Sequence, residues 1–210
     1  MPHDEPEYER RSVERLVFFS DAVVAIAITL LAIDLPVPAG ATAGAFWASA
    51  RAHDGVYLAF LVSFLSIAAA WSHHHDAFKY ARRADSWLRN ATMIWLLMII
   101  LIPFATKLLT GYGHDALTVH ALRWGFYALL QTVGAAALFA MTRHMAARDL
   151  GARDAEERAG YDWDSYGNML GFGLSIPVFF ATTYGWVLWI VMPILVARVN
   201  RRRRSARQQP

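Results

Sequence analysis

Six blocks of nearly unbroken apolar sequence govern what this chain can fold into: Leu16 to Leu35, Val56 to Ser72, Ala91 to Leu109, Leu122 to Met141, Tyr166 to Ala181 and Tyr184 to Val199. The block from Ala91 to Leu109 holds one charge, Lys107, near its end. A water-soluble helix carries polar residues along one face at helical period, and these blocks have too few to meet water. They account for a hydrophobic content of 56% in 210 residues. The expected fold class is an all-α integral membrane protein with six transmembrane helices. Several blocks stand at or below the roughly 17-residue lower limit for a span, which implies tilt or local thinning of the bilayer.

The last two blocks would make one continuous helix of roughly 51 Å, too long for a single crossing. Thr182, Thr183 and Gly185 supply a break, so a helical hairpin is expected, with Pro177 and Pro193 as kinks in its arms. Lysine and arginine then give the orientation. Of the 20 in the chain, only Arg51, Lys107 and Arg123 fall on the side assigned outside. The other segments hold Arg10, Arg11 and Arg15, then Lys79, Arg82, Arg83 and Arg89, then Arg143, Arg148, Arg153 and Arg158, then Arg198, Arg201 to Arg204 and Arg207. Both termini are therefore expected to be cytoplasmic, in a multi-pass protein of the cell membrane.

The expected organisation is a cytoplasmic N-terminus at 1–15, a six-helix domain at 16–199 and a basic cytoplasmic tail at 200–210. The mixed charges from Arg148 to Asp164 read as a solvated loop or surface helix. The polar start of the chain lacks a signal-peptide pattern, so the first helix is expected to be retained. A pI near 9.4 and the arginine run invite a nucleic-acid reading. A basic flank facing anionic lipid is the better one, and no nucleic-acid partner is expected. There is no cysteine, which excludes disulfides, thiolate metal sites and cysteine nucleophiles.

The first block carries the chemistry. Ser20 and Asp21 lie about one turn inside its cytoplasmic end, and a carboxylate at that depth needs a partner. Arg15 is six residues away, too far around for a one-turn pair, so Asp21 is expected to bond to neighbouring helices. An inter-helix clamp without a part in transport would satisfy the same pattern. Beyond Asp21, Ile26, Leu30 and Ile33 fall within roughly 60° of arc, with Thr29 beside them and Asp34 at the edge. Such a stripe serves as lipid-facing or packing surface. If copies of the chain surround an axis, it becomes instead a hydrophobic constriction with a hydroxyl ring and an acidic mouth.

Arg15, Phe19, Ser20 and Asp21 form Arg-x-x-x-Phe-Ser-Asp, followed by the alanine, isoleucine, threonine and leucine pattern of Ala25 to Leu31. Trp71, His74 and Phe78 form Trp-x-x-His-x-x-x-Phe in the second block, and Asn90 precedes Pro103-Phe104-Ala105-Thr106 in the third. With these motifs the chain resembles the transmembrane protein 175 family of potassium channels. The resemblance covers the first three blocks, while the last three match only in number and length. It implies a prokaryotic-type homotetramer of six-helix subunits around a central pore lined by the first helix, without a carbonyl-lined filter.

Carried over residue by residue, the resemblance makes Ile26, Leu30 and Ile33 the constriction layers and Thr29 the hydroxyl layer. Ile33 stands where leucine is common in the family, a change that keeps apolar bulk. Arg15, Phe19, Ser20 and Asp21 would join Trp71, His74 and Asn90 in a structural polar network that holds the first helix against the next two. The function implied is a potassium-selective or potassium-preferring channel, not an enzyme, with potassium as permeant and no cofactor. The alternative is a proton-coupled or proton-conducting transporter that uses Asp21 and His74 as a relay.

Placing Asp34 at the outer mouth rests on helix geometry alone. Thr110-Gly111-Tyr112-Gly113 resembles a potassium filter, but no re-entrant helix precedes it, so an exposed turn is expected. His73, His74 and His75 are adjacent, and about 100° of rotation per residue keeps them from sharing one ion, so no metal is expected there. A pH-sensing role for them stays open.

Overall fold

The residues facing inward on each apolar block select a chain-ordered stack of helices. The computed structural model describes residues 5–79, 81–111, 116–150 and 155–207, with side chains at 5–9, 155–165, 201 and 203–207 left out of the description. Among the described residues there are seven helices: α1 (Glu5–Ile33), α2 (Ala43–Ala52), α3 (Asp54–Phe78), α4 (Ser86–Leu109), α5 (Leu117–Ala147), α6 (Ala155–Phe179) and α7 (Val187–Arg207). Four of them, α1, α3, α4 and α5, are long and apolar enough to cross a membrane. The protein is all-helical, and its apolar helices make it a membrane protein.

The structure adds two features to the expected organisation. The stretch expected as a non-membrane N-terminus is helical from Glu5, and an exposed Arg10–Glu14 contact of 3.7 Å at i,i+4 spacing lies on its first turns. The short α2 was not expected. Its ten residues bury nothing, so no periodicity announces it, yet Thr42 caps it by accepting from the Ala45 N–H at 3.2 Å. The expectations for Tyr112 and Gly113, for 151–154, and for the ends of the chain at 1–4 and 208–210 lie outside the described residues.

α4 is the centre of the core. It packs against α1 and α3 on one side and α5 on the other, and α5 in turn packs against α6 and α6 against α7. Its inward face buries Leu88, Trp95, Leu96, Ile99 and Ile102. The break between α6 and α7 falls where the threonines and Gly185 stand, and a Cβ on Gly185 would sit 2.8 Å from the Phe179 ring. Along the hairpin, α6 brings Gly167 and Gly171 against α7: a Cβ there would meet the Pro193 Cα and the Leu188 carbonyl oxygen, each at 2.9 Å. Small residues four apart let two helix backbones approach this closely.

At the α4 start, Asp85 accepts from the Leu88 N–H at 2.8 Å and pairs with His144 Nε2 at 2.6 Å, tying α4 to the end of α5. The His144 ring stacks on Trp87 at 4.2 Å. Burial, the largest single influence, pushes the Asp85 carboxyl up, but the Leu88 N–H, His144 and Arg148 together outweigh it and hold the carboxyl below its ordinary value. A depressed carboxylate contributes stability above its unfolded pKa of about 3.9, and that contribution is lost as pH falls through the folded value. Asp85→Ala is therefore expected to cost about 1 kcal/mol at neutral pH through the lost cap. In thermal unfolding, the gap to the parent protein should close below about pH 4, where the parent cap itself protonates.

Candidate functional site

α1 has two faces because the residues at spacings of three and four sort into those that meet α3 and α4 and those that do not. Val13, Leu16, Ser20, Val24, Ala27 and Leu31 are buried against the neighbouring helices. The opposite stripe runs through Arg15, Phe19, Ala22, Ile26, Thr29, Leu30 and Ile33, all exposed. Ile26 is 59% exposed, Leu30 42% and Ile33 77%, so the three expected constriction residues share a face with no partner inside the subunit.

Thr29 lies in that stripe, and its hydroxyl donates to the Ile26 carbonyl at 2.8 Å. Its proton is thereby spent on its own helix, and the oxygen presents lone pairs outward, the polarity a cation requires. Asp34, just past the end of α1, forms an ion pair of 2.6 Å with Lys107 near the end of α4. The pair ties the ends of α1 and α4 and offsets the carboxylate charge. Both side chains are more than a third exposed, so water screens the contact and its contribution to stability is small.

Of the expected polar network, the structure brings one cross-helix pair together. The Trp71 indole N–H donates to Asp21 at 2.8 Å, fixing the rotation of α1 relative to α3. Ser20 is buried, and its hydroxyl donates to the Leu16 carbonyl of its own helix at 2.9 Å. His74 is fully buried between the rings of Phe78 and Trp95, at 4.4 and 4.3 Å, and neither ring nitrogen has a hydrogen-bond partner. His74 is thus a stacked element of the core with no bond to Asp21. Arg15, Phe19 and Asn90 are exposed and do not join Asp21 within the subunit. Among the described residues, no group of three or more histidines and carboxylates is placed to hold a metal.

A second polar group went unnoticed in the sequence. Ser63 of α3 meets Thr106, in the last turn of α4, at 2.7 Å and Tyr127 of α5 at 3.2 Å, and Gln131 donates to the same tyrosine oxygen at 3.1 Å. The available signal was the occurrence of four hydrogen-bonding side chains inside three apolar blocks. Such groups join helices in membranes, where no water competes for them.

Comparison with known proteins bears on this arrangement. The family model described as "Endosomal/lysosomal potassium channel TMEM175" matches residues 15–103, which hold α1 from Arg15 onward with its exposed stripe, α2, α3 and most of α4. The chain is 34% identical over 131 residues to "Potassium channel B446_29190" of Streptomyces collinus, covering 62% of this chain and 63% of that protein. It is 36% identical over 113 residues to "Potassium channel Cha6605_3372" of Chamaesiphon minutus, covering 50% of this chain and 52% of that one. These matches thus span about half to three fifths of the relatives' lengths. The crystal structure of a lysosomal potassium-selective channel TMEM175 homolog from Chamaesiphon minutus superposes with a TM-score of 0.73 at 25% identity, over 89% of this chain and 97% of that one. With the motif-bearing helices matched in sequence and nearly the whole chain matched in fold, these likenesses support the TMEM175 family for this chain.

Proposed function

We propose that the chain is a potassium-selective or potassium-preferring channel of the cell membrane, formed by four copies around an axis with the exposed stripe of α1 turned inward. The observation that carries this reading is the division of α1: one face is locked to α3 and α4, while Ile26, Thr29, Leu30 and Ile33 stay exposed on the other. The relatives named as potassium channels agree with it. In this reading α6 and α7 are the fifth and sixth spans, α2 lies outside the bilayer, 16–199 is the channel domain, and both termini are cytoplasmic, an orientation the distribution of lysine and arginine supports.

Ion passage follows from ring chemistry. Rings of Ile26, Leu30 and Ile33 make a constriction that dewets when narrow and strips water from an ion when slightly open. Potassium sheds its hydration more cheaply than sodium. Four Thr29 oxygens, each with its proton turned back to Ile26, return part of the lost solvation. Asp34 at the outer mouth acts as one half of a pair with Lys107, so its pull on cations is local and weak. The Trp71–Asp21 bond holds the stripe in register; Arg15, Phe19 and Asn90, exposed in the subunit, join its surroundings on assembly, while Ser20 and His74 support it from the core. A proton relay through Asp21 and His74 has less support, because His74 makes no hydrogen bond.

The test is reconstitution into liposomes loaded with potassium. Valinomycin-independent efflux is expected, with sodium efflux slower under the same gradient. Absence of flux at every pH and voltage would overturn the reading.

A further inference from the structure

A cavity of about 940 Å³ lies between α3 and α5, away from the exposed stripe of α1. α4 forms its floor, and Trp186 and Trp189 of α7 contribute to its wall. The lining is apolar along α3 at Ala59, Val62 and Ala69, and polar at mid-depth where Ser66 and Gln131 face in. α3 is the least buried of the four long apolar helices, which leaves this space beside it. Its size and mixture of a largely apolar wall with a few convergent polar groups are those of a small-molecule site.

The hydrogen-bond directions behind that polar spot are determined one by one. Thr106 donates to the Ile102 carbonyl at 2.8 Å, so its oxygen can only accept from Ser63, 2.7 Å away. The Ser63 proton is then spent, and Tyr127 must donate to Ser63. Tyr127 in turn can only accept, as it does from the Gln131 N–H. Every proton runs from the cavity wall toward α4. Gln131 is left with its carbonyl oxygen as an acceptor outside the chain of bonds, and the Ser66 hydroxyl on the lining can accept as well.

We propose that this cavity binds a neutral, lipophilic alcohol or phenol that enters from the bilayer and donates its O–H to the acceptors on Gln131 and Ser66. A phospholipid acyl chain fits the apolar wall but offers no donor at mid-depth. An ammonium would lack a carboxylate at that depth, since Asp54, the acid on the lining, is at the start of α3.

The probes are 3-(4-bromophenyl)propan-1-ol and its methyl ether, matched in shape, with bromine to quench the tryptophans of the lining. Each is titrated into the full chain in lipid nanodiscs, with empty nanodiscs subtracted for partitioning. The alcohol is expected to quench saturably and to bind about threefold to tenfold tighter than the ether, the range one added hydrogen bond supplies. Gln131→Leu should shrink that ratio to under about twofold. Ala69→Phe, which fills the cavity without touching the bonded chain of side chains, should abolish saturable quenching by both. Equal binding of alcohol and ether by the parent protein overturns the proposal. So does a lack of saturable binding in folded protein, the result expected if lipid chains or a second copy of the chain fill the space.

Discussion

Ile26→Asn is expected to raise valinomycin-independent potassium efflux roughly tenfold, a barrier lowered by about 1.4 kcal/mol, and to let sodium follow at a similar rate. Ile26 is 59% exposed and supports nothing in its own subunit, so the change costs the monomer core little. If four copies of residue 26 ring the axis, the amides hydrate the narrowest layer and an ion keeps company with polar atoms as it passes. The dewetting barrier falls, and with it the advantage potassium draws from cheaper dehydration. Ile94→Ala is the control: Ile94 is 50% exposed on α4, off the α1 stripe, and flux should stay within about twofold. Were Ile26 to face lipid, its replacement would leave flux unchanged or lower it by weakening insertion, and the channel geometry proposed above would fail.

Gly171→Leu is expected to break the α6–α7 hairpin. A Cβ at this position would stand 2.9 Å from the Leu188 carbonyl oxygen and 3.5 Å from the Trp189 Cα. These are backbone atoms of a packed helix, so they cannot swing aside as a flexible side chain would. Overpacking of this kind costs about 1–3 kcal/mol when one methyl is added, and a leucine forces the helices apart. Thermal unfolding followed by tryptophan fluorescence should show Gly171→Ala lowered by roughly 4–10 °C, and Gly171→Leu failing to give a single folded species. Gly55→Ala provides the comparison, because nothing stands within 4 Å of a Cβ there. In a helix that change is neutral or stabilising by up to about 1 kcal/mol. A Gly171→Ala protein as stable as its parent would contradict the close approach of the two helices.

How much of this was legible beforehand depended on whether the governing interaction is local. The apolar blocks, the break at Thr182 to Gly185 and the stripe through Ile26, Leu30 and Ile33 follow from nearest-neighbour rules, hydropathy and the 3.6-residue period. α2 was missed because a ten-residue helix with no buried face has no apolar signature. The Ser63–Thr106 and Ser63–Tyr127 bonds and the Asp34–Lys107 pair link residues dozens of positions apart. No spacing rule within one segment reaches them. His74 illustrates the same boundary, since its burial between Phe78 and Trp95 depends on how α3 meets α4.

By itself the sequence determined that the chain lives in a membrane as helices, because apolar blocks in lipid must satisfy their backbone groups internally. It also determined which α1 residues share a face, because helical geometry leaves no choice. Only the tertiary structure decided which face is free. Val13, Leu16, Ser20, Val24, Ala27 and Leu31 are covered by α3 and α4, and the stripe from Arg15 to Ile33 is left over. Both faces of α1 are apolar, so hydropathy cannot choose between them. The choice is made by shape, where small and medium side chains at Ser20, Val24 and Ala27 let the neighbouring helices close in, and by the single bond from Trp71 to Asp21 that sets the rotation.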